Sequence, residues 1–191
     1  MMPLVIETQR GRERLWDMYS RLLRDRIILL DEPIEDKTAS MVCAQLLFLH
    51  AEHPGAPIQL YINSPGGVVT AGLAIYDTMR HIASPVATLC MGQAASMAAV
   101  LLAAGEPGLR RALPSSRIMV HQPSGGFRGQ ATDAAIHTGE MLRLRAILDG
   151  ILAACAGLAP DEVRSLTERD SYFSAPEARD LGLIDGIVRV R

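Results

Sequence analysis

The sequence predicts an α/β domain with a largely parallel sheet. Short apolar runs alternate with longer segments of helical periodicity, and the connections between them are short. Polar or glycine-rich turns directly follow several of the apolar runs. The chain has 191 residues, of which 49% are hydrophobic and 4% aromatic, so a single domain with an aliphatic core is expected.

The N-terminal third is expected to contain an arm, two helices and two strands. Residues 1–11 end in QRG and are expected to form a mobile arm. Residues 12–23 carry leucine, methionine and tyrosine at helical spacing, which predicts an amphipathic helix. The apolar run at 26–30 precedes Asp-Glu-Pro and predicts a strand, whereas 35–53 predicts a helix that a Pro-Gly pair ends. The sequence IQLYI at 58–62 predicts the second strand.

The middle of the chain continues the alternation of helix and strand. Helical periodicity at 70–82 is followed by VATLCM at 86–91, which predicts a buried strand. A turn of small residues leads into a helix at 96–104, and the apolar residues 118–120 predict another strand. Residues 131–156 predict a long helix that follows a glycine-rich loop. This helix is expected to project from the globule and pack against a partner subunit.

Three short elements end the chain. Residues 160–167 and 176–181 predict helices, and 187–190 predict a final strand. The sequence contains no internal repeat and no low-complexity tract, which favours one compact domain over a repeat architecture.

Charge and composition exclude several classes of function. The formal net charge is -2, with 19 basic and 21 acidic residues, which argues against nucleic-acid binding. No apolar run reaches the roughly 18 residues of a membrane helix, and no secretory signal is evident. Cys43, Cys90 and Cys155 lie far apart, and no Cys/His spacing is typical of a metal site. We therefore expect a cytoplasmic protein that needs no metal and binds neither membrane nor nucleic acid.

Three turns that follow apolar runs could carry chemistry, because ligands of α/β folds bind where strands end. Gly66 and Gly67 could turn backbone N–H groups toward a substrate carbonyl, as in an oxyanion hole, or could only form a tight turn. Ser96 lies among small residues before a helix and could be a nucleophile or a helix N-cap. His121 follows a strand and could be a general base or a structural histidine.

A serine–histidine pair would also need an acid that orients the imidazole. Spacing alone does not select among the aspartates of the C-terminal half, of which Asp170 stands out only because it ends a helix beside Tyr172 and Phe173. The candidates are Asp133, Asp149, Asp161, Asp170, Asp180 and Asp185.

Four sequence blocks, in this order, resemble one known family. INSPGG at 62–67, GQAASM at 92–97, MVHQP at 119–123 and TERD at 167–170 are similar to the signature blocks of the ClpP-type proteolytic subunit of the ATP-dependent Clp (caseinolytic) protease. The resemblance implies a ClpP/crotonase-like fold built from repeated β-β-α and βα units, with a projecting handle helix.

The resemblance also implies roles for individual residues. It implies Ser96 as nucleophile, His121 as general base and Asp170 as the orienting acid. The backbone N–H groups of Gly67 and Met97 would form the oxyanion hole. Peptide hydrolysis would proceed through an acyl-enzyme and would require no cofactor, because ATP would be used by a partner ATPase.

Architecture and partners follow from the same resemblance. Residues 1–16 would form an axial arm, 17–191 a single peptidase domain, and about 122–156 the handle. Subunits would form two stacked heptameric rings, either of this chain alone or with a paralogue, and a Clp-type AAA+ ATPase would feed unfolded proteins into them. Gln59, His81 and Arg111 stand where relatives often place aromatic or apolar residues in the pocket that docks the ATPase.

Two other functions remain open on the sequence. A non-catalytic or latent ring subunit that supports an active paralogue would share the fold. A crotonase-like acyl-CoA enzyme would also use a glycine-rich oxyanion hole, although such enzymes commonly rely on carboxylates.

Overall fold

The computed structural model describes residues 4–9, 12–126 and 128–189. These residues form sixteen elements of regular structure. In chain order they are β1 (Leu4–Gln9), β2 (Arg12–Asp17), α1 (Met18–Arg24), β3 (Ile27–Leu30), α2 (Asp36–Glu52), β4 (Ile58–Ser64), α3 (Val69–His81), β5 (Val86–Ala95), α4 (Met97–Ala103), β6 (Arg110–Ala112), β7 (Arg117–Val120), α5 (Ala131–Ala156), α6 (Pro160–Thr167), β8 (Ser171–Ser174), α7 (Ala175–Asp180) and β9 (Gly186–Ile187).

The central sheet confirms the predicted α/β class with parallel strands. Strands β3, β4, β5, β6 and β9 lie side by side in this order, and each neighbouring pair is parallel. Helices connect consecutive parallel strands, as such connections require. Side chains alternate along β3 and β4 between buried and half-buried, so one face of the sheet packs on the aliphatic core.

Strand β5 is longer than predicted and pairs with a different strand along each of its halves on one edge. Its first half pairs with β6, with Thr88 opposite Arg110, whereas its end pairs with β7, with Gln93 opposite Arg117. Strand β7 also pairs with β8, and this pair is the antiparallel one in the main sheet. Helix α4 begins one residue after β5 ends, and all seven of its residues are buried. The end of β5 is therefore held by β7 and by a helix in the core.

The helix predicted at residues 12–23 was wrong in its first half. The described part of the arm forms strand β1, and residues 12–17 form β2, which pairs with β1 in antiparallel register instead of starting a helix. The helix begins at Met18 because the Asp17 side chain accepts a hydrogen bond from the Ser20 N–H at 2.9 Å, which caps it there. Ion pairs from Arg21 and Arg24 to Glu7 hold the hairpin against α1.

Two further strands were missed, and the last predicted strand was placed too far along the sequence. Strands β6 and β8 have three and four residues, too short for a periodic pattern. Strand β9 covers Gly186–Ile187, not 187–190, whose last residue lies outside the described ranges.

The long helix lies where it was predicted, at Ala131–Ala156. Its C-terminal half packs on α4 and α6 and buries Leu148, Ile151 and Leu152. Its N-terminal half is mostly exposed, and Ile136 and Leu142 present apolar side chains to solvent. Phe127, within the glycine-rich segment before this helix, lies outside the described residues. None of the helices in the described ranges has the length and apolarity needed to cross a membrane.

A buried arginine ties together the elements around β6. Arg110 is 7% exposed, and its guanidinium donates to both carboxylate oxygens of Asp185 and to three backbone carbonyls. The carbonyls belong to Ala103, Cys155 and Gly182, which follow or end α4, α5 and α7. Burial by itself raises the pKa of Asp185, but the hydrogen bonds from Arg110 outweigh it and hold the pKa below its ordinary value.

Candidate active site

Ser96 occupies a sharp turn between β5 and α4. Its backbone has φ 56° and ψ -125°, a conformation that a residue with a side chain seldom adopts. Such strain costs about 1–3 kcal/mol and tends to be retained where it serves a function. Ser96 stands at the N-cap position of α4, but its side chain makes no capping hydrogen bond. The alternative of a simple N-cap therefore does not describe this serine, whose hydroxyl points elsewhere.

The glycine turn after β4 lies against the Ser96 turn. A Cβ atom on Gly66 would stand 2.5 Å from the Ala95 carbonyl oxygen, 2.8 Å from Ser96 Cβ and 3.0 Å from the Met97 nitrogen. Gly66 also has φ +87°, so glycine is required for both the conformation and the close approach. The first N–H groups of a helix lack intrahelical acceptors, and Met97 is the first residue of α4. The turn that contains Gly66 and Gly67 thus lies against the first N–H of α4, which belongs to Met97.

Polar side chains of the INSPGG block hold this arrangement. Asn63 Oδ1 accepts a hydrogen bond from the Gln93 N–H at 3.2 Å, which links the ends of β4 and β5. Ser64 is buried, donates to the Glu32 carbonyl at 2.7 Å and accepts from the Gly66 N–H at 3.2 Å. The block therefore supplies structural contacts as well as the glycines.

His121 connects Ser96 to Asp170. The distance from Ser96 Oγ to His121 Nε2 is 2.8 Å, and the distance from His121 Nδ1 to Asp170 Oδ1 is 2.9 Å. In the neutral tautomer that fits both contacts, Nδ1–H donates to Asp170 and Nε2 accepts from the serine hydroxyl. His121 immediately follows β7 and Asp170 immediately precedes β8, so the antiparallel pairing of these strands brings the two residues together.

The other aspartate candidates lie outside this chain of contacts, as far as their contacts are described. Asp185 binds Arg110, Asp180 pairs with Arg179, and Asp149 accepts a hydrogen bond from Thr167. Asp133 and Asp161 lie in the first turns of α5 and α6. Of these six aspartates, Asp170 is the one whose described contacts include the imidazole of His121.

An apolar pocket adjoins the serine and histidine. Its apolar walls come from α3, α4, α5 and the strand before His121, and Asp149 and Thr167 add polar groups. The lining residues are Val69, Met97, Val100, Val120, Pro123, Leu148, Asp149, Leu152 and Thr167, together with Ser96 and His121. The cavity is small, about 20 Å³, which is close to the space that a single water molecule needs.

The cysteines do not offer an alternative nucleophile at this site. Cys90 is buried in β5, and burial raises its pKa to about 11, so it remains a thiol at neutral pH. Burial also raises the pKa of Cys155, whose backbone carbonyl accepts a hydrogen bond from the Arg110 guanidinium. Within the described ranges, no three His, Cys, Asp or Glu side chains converge as metal ligands.

Sequence reasoning missed a second layer of residues behind the histidine. Gln122, Arg145, Asp149 and Glu168 form a polar cluster between α5 and the segments that carry His121 and Asp170. An arginine and an aspartate four residues apart on a helix were the available signal, but such pairs are usually found on solvated surfaces.

Comparison with protein families adds one finding. The family model described as Clp protease matches residues 9–191, which is essentially the whole chain. The match includes all four of the sequence blocks around the serine, the histidine and the aspartate.

Proposed function

The chain belongs to the Clp protease family, and we propose that it is a serine endopeptidase with Ser96 as its nucleophile. One observation carries this proposal, namely the continuous contacts from Ser96 through His121 to Asp170 at 2.8 and 2.9 Å. Nucleophile, base and orienting acid are the three components of a triad, which is recognised by geometry and not by chain order.

The reaction starts with attack of Ser96 Oγ on the carbonyl carbon of a peptide bond. His121 Nε2 takes the hydroxyl proton, and the negative charge that develops on the carbonyl oxygen is bound by the N–H groups of Gly67 and Met97. Asp170 accepts the hydrogen bond from Nδ1–H and stabilises the imidazolium. His121 then gives its proton to the leaving amine, and the acyl-enzyme remains.

Water completes the cycle. His121 removes a proton from the water molecule as it attacks the ester carbonyl, and the same proton returns to Ser96 Oγ when the acyl group leaves. This sequence needs no cofactor.

The working particle is proposed to be two stacked heptameric rings, of this chain alone or with a paralogue. The exposed apolar side chains Ile136 and Leu142 on the free half of α5 support the handle as a contact between subunits. A Clp-type AAA+ ATPase would deliver unfolded proteins in the cytoplasm, where ATP is used by the ATPase.

A silent supporting subunit is the second candidate. Arg111 is exposed on β6, and Gln59 accepts a hydrogen bond from the Tyr61 hydroxyl, so polar groups occupy the face expected to dock an ATPase. Such a face would suit a subunit that relies on a paralogue for docking.

Fluorophosphonate labelling separates the two candidates. The wild-type chain is expected to gain one label per subunit by intact mass, and Ser96→Ala is expected to gain none. The control Ser40→Ala removes an exposed hydroxyl on α2 and should label like wild type. Hydrolysis of a short peptide should fall by about 10⁴-fold or more in Ser96→Ala. A particle of about fourteen subunits by native mass that never labels would instead identify a supporting subunit.

A further inference from the structure

Arg145 on α5 binds the two segments that carry the histidine and the aspartate. Its Nη1 donates to Gln122 Oε1 at 2.9 Å, and its Nη2 donates to Glu168 Oε2 at 2.9 Å. Gln122 directly follows His121, and Glu168 stands two residues before Asp170. One guanidinium thus spans both segments with its two terminal nitrogens, as its planar fork allows.

Gln122 completes the link between the two segments. Its backbone N–H donates to the Thr167 carbonyl at 2.6 Å, and its side-chain Nε2 donates to the Glu168 carbonyl at 2.8 Å. Arg145 therefore orients a side chain that itself bridges the segments. Removing the guanidinium would leave Gln122 Oε1 and the Glu168 carboxylate without this donor.

Asp149, one turn along α5, holds the guanidinium in place. Asp149 Oδ2 lies 3.7 Å from Arg145 Nε, and both atoms are buried without a hydrogen-bond partner among the described residues. The Asp149 side chain is 11% exposed, and its other oxygen accepts from Thr167 Oγ1 at 3.1 Å. Because a buried carboxylate is costly without a counter-charge, Arg145 cannot turn away from this position without a penalty.

Asp170 depends on such support because packing does not fix it. Its side chain is 59% exposed, whereas that of His121 is 22% exposed. The 2.9 Å contact between them must then come from the placement of the backbone segments that carry them. A misplacement of about 1 Å in such a contact can cost about 10²-fold in rate.

We propose that Arg145 is a positioning residue for the reaction, which couples the handle helix α5 to the geometry of His121 and Asp170. The proposal rests on the proposed function. It implies that the helix expected to join the rings also sets the alignment of the triad in the same subunit.

Replacement of Arg145 tests the proposal, with a matched control on the same helix. Arg145→Met removes the guanidinium and keeps most of the apolar stem. Arg143→Met is the control, because Arg143 pairs only with exposed Glu140, three residues away on α5, among its described contacts. Each variant is measured for the rate constant and final extent of fluorophosphonate labelling, for kcat and KM on a short peptide, and for native mass.

A positioning role predicts a specific pattern. In Arg145→Met the labelling rate constant and kcat should fall by about 10²-fold, while KM, the final labelled fraction and the native mass stay at wild-type values. Arg145→Lys, which restores one charged donor, should recover part of the loss. A purely structural role would instead lower the final labelled fraction and leave the rate constant of the remaining sites unchanged, which would overturn the proposal.

Gln122→Met covers the case in which Arg145→Met does not fold because Asp149 is left unpaired. This variant breaks the bridge between the segments and leaves the Arg145–Asp149 pair intact, and it should lower the labelling rate constant by about 10-fold. Wild-type rates in the soluble variants would reject the positioning role alone. Absence of labelling in the wild-type chain would reject the proposed function itself, so the two failures are distinguishable.

Discussion

The two halves of β5 lead into regions that are each organised by an arginine, which is buried in one region (Arg110) and half-buried in the other (Arg145). Where β5 pairs with β6, Arg110 has partners for its guanidinium in Asp185 and in backbone carbonyls of three elements. Where β5 pairs with β7, Arg145 spans two segments, and its Nε and the facing Asp149 oxygen have no hydrogen-bond partner in the described part of the chain. The Arg110 cluster connects elements that pack around the core, whereas the Arg145 cluster contacts the segment that carries His121.

This difference shows how an arginine side chain can either stabilise the fold or position catalytic residues. A buried charge that binds a carboxylate and the backbone carbonyls of three helix ends connects elements of the core, and its loss is expected to appear in stability. A charge that joins side chains of two segments next to a reacting group fixes a distance, and its loss is expected to appear in rate. Substitutions in the two regions should therefore separate stability from catalysis.

The largest effect on stability is expected for Arg110→Met. This change leaves Asp185 without its counter-charge and three carbonyls without a donor, which should cost about 3–5 kcal/mol. Thermal unfolding at matched protein concentration should show a fall in Tm of about 10 °C. Arg111→Met, on the exposed side of the same strand, is the control and should change Tm little.

The comparison also requires that the folded fraction of Arg110→Met keeps its chemistry. At a temperature well below its Tm, its labelling rate constant should equal that of wild type. A loss of rate as large as that expected for Arg145→Met would show that the two regions are not separate.

The largest effect on catalysis from a change outside the triad is expected for Gly66→Ala. The added Cβ would meet the Ala95 carbonyl and Ser96 itself, so the Ser96 turn or the glycine turn must move. We expect the labelling rate constant to fall by about 10²–10³-fold, the range for loss of one oxyanion-hole donor. Gly108→Ala is the matched control because Gly108 has φ +86°, close to the +87° of Gly66, but has open space around its Cβ position.

The two glycine variants share the backbone strain and differ in the steric contact. Gly108→Ala should lose only about 1–2 kcal/mol of stability and label at the wild-type rate. Equal labelling rates in both variants would show that the close approach of the two turns is dispensable for catalysis.

A smaller effect is expected from pH on the Arg110 region. The pKa of Asp185 is held below its ordinary value of 3.8, so the ionised carboxylate stabilises the fold above that pH. This contribution should be lost as the pH falls through the lowered pKa. Urea unfolding midpoints measured between about pH 5 and pH 3 should therefore fall more steeply for wild type than for Arg110→Met.

Arg179→Met provides the control for this pH dependence. The Arg179–Asp180 pair is exposed, so water screens it and its loss should leave the slope of midpoint against pH unchanged. If the urea midpoint of Arg110→Met fell with pH as steeply as that of wild type, the pH dependence could not be assigned to the Arg110–Asp185 pair.

Most of the main sheet could be predicted from the sequence because its strands are apolar runs and its helices are periodic. The same reasoning failed at residues 12–17, where one leucine and one tryptophan fit a helix or a strand equally well. The choice was made by pairing with Leu4–Gln9 and by the Asp17 cap, and the pairing depends on a partner strand. Strands β6 and β8 were missed because three or four residues carry too little pattern, and their neighbours define them.

The residues of the candidate site also divide into those that the sequence could predict and those that it could not. Ser96, His121 and the glycine turn could be found because each follows an apolar strand, and strand ends share one edge of a parallel sheet. The choice of Asp170 over five other aspartates was open to the residues taken alone, and only the resemblance to a family named it. Arg145 was not identified at all, because its hydrogen-bond partners Gln122 and Glu168 lie more than twenty residues away in the chain.

The sequence by itself determined the fold class, the order of the main strands and helices, and the groups that could attack, transfer a proton and bind an oxyanion. These features depend on local periodicity and on residue chemistry, which are written in neighbouring positions. The tertiary structure decided which aspartate reaches His121 and how closely Gly66 packs against the strained turn at Ser96. It also decided which distant segments Arg145 and Arg110 bind. Those outcomes depend on contacts between residues far apart in the chain, which exist only after the sheet and the helices have packed.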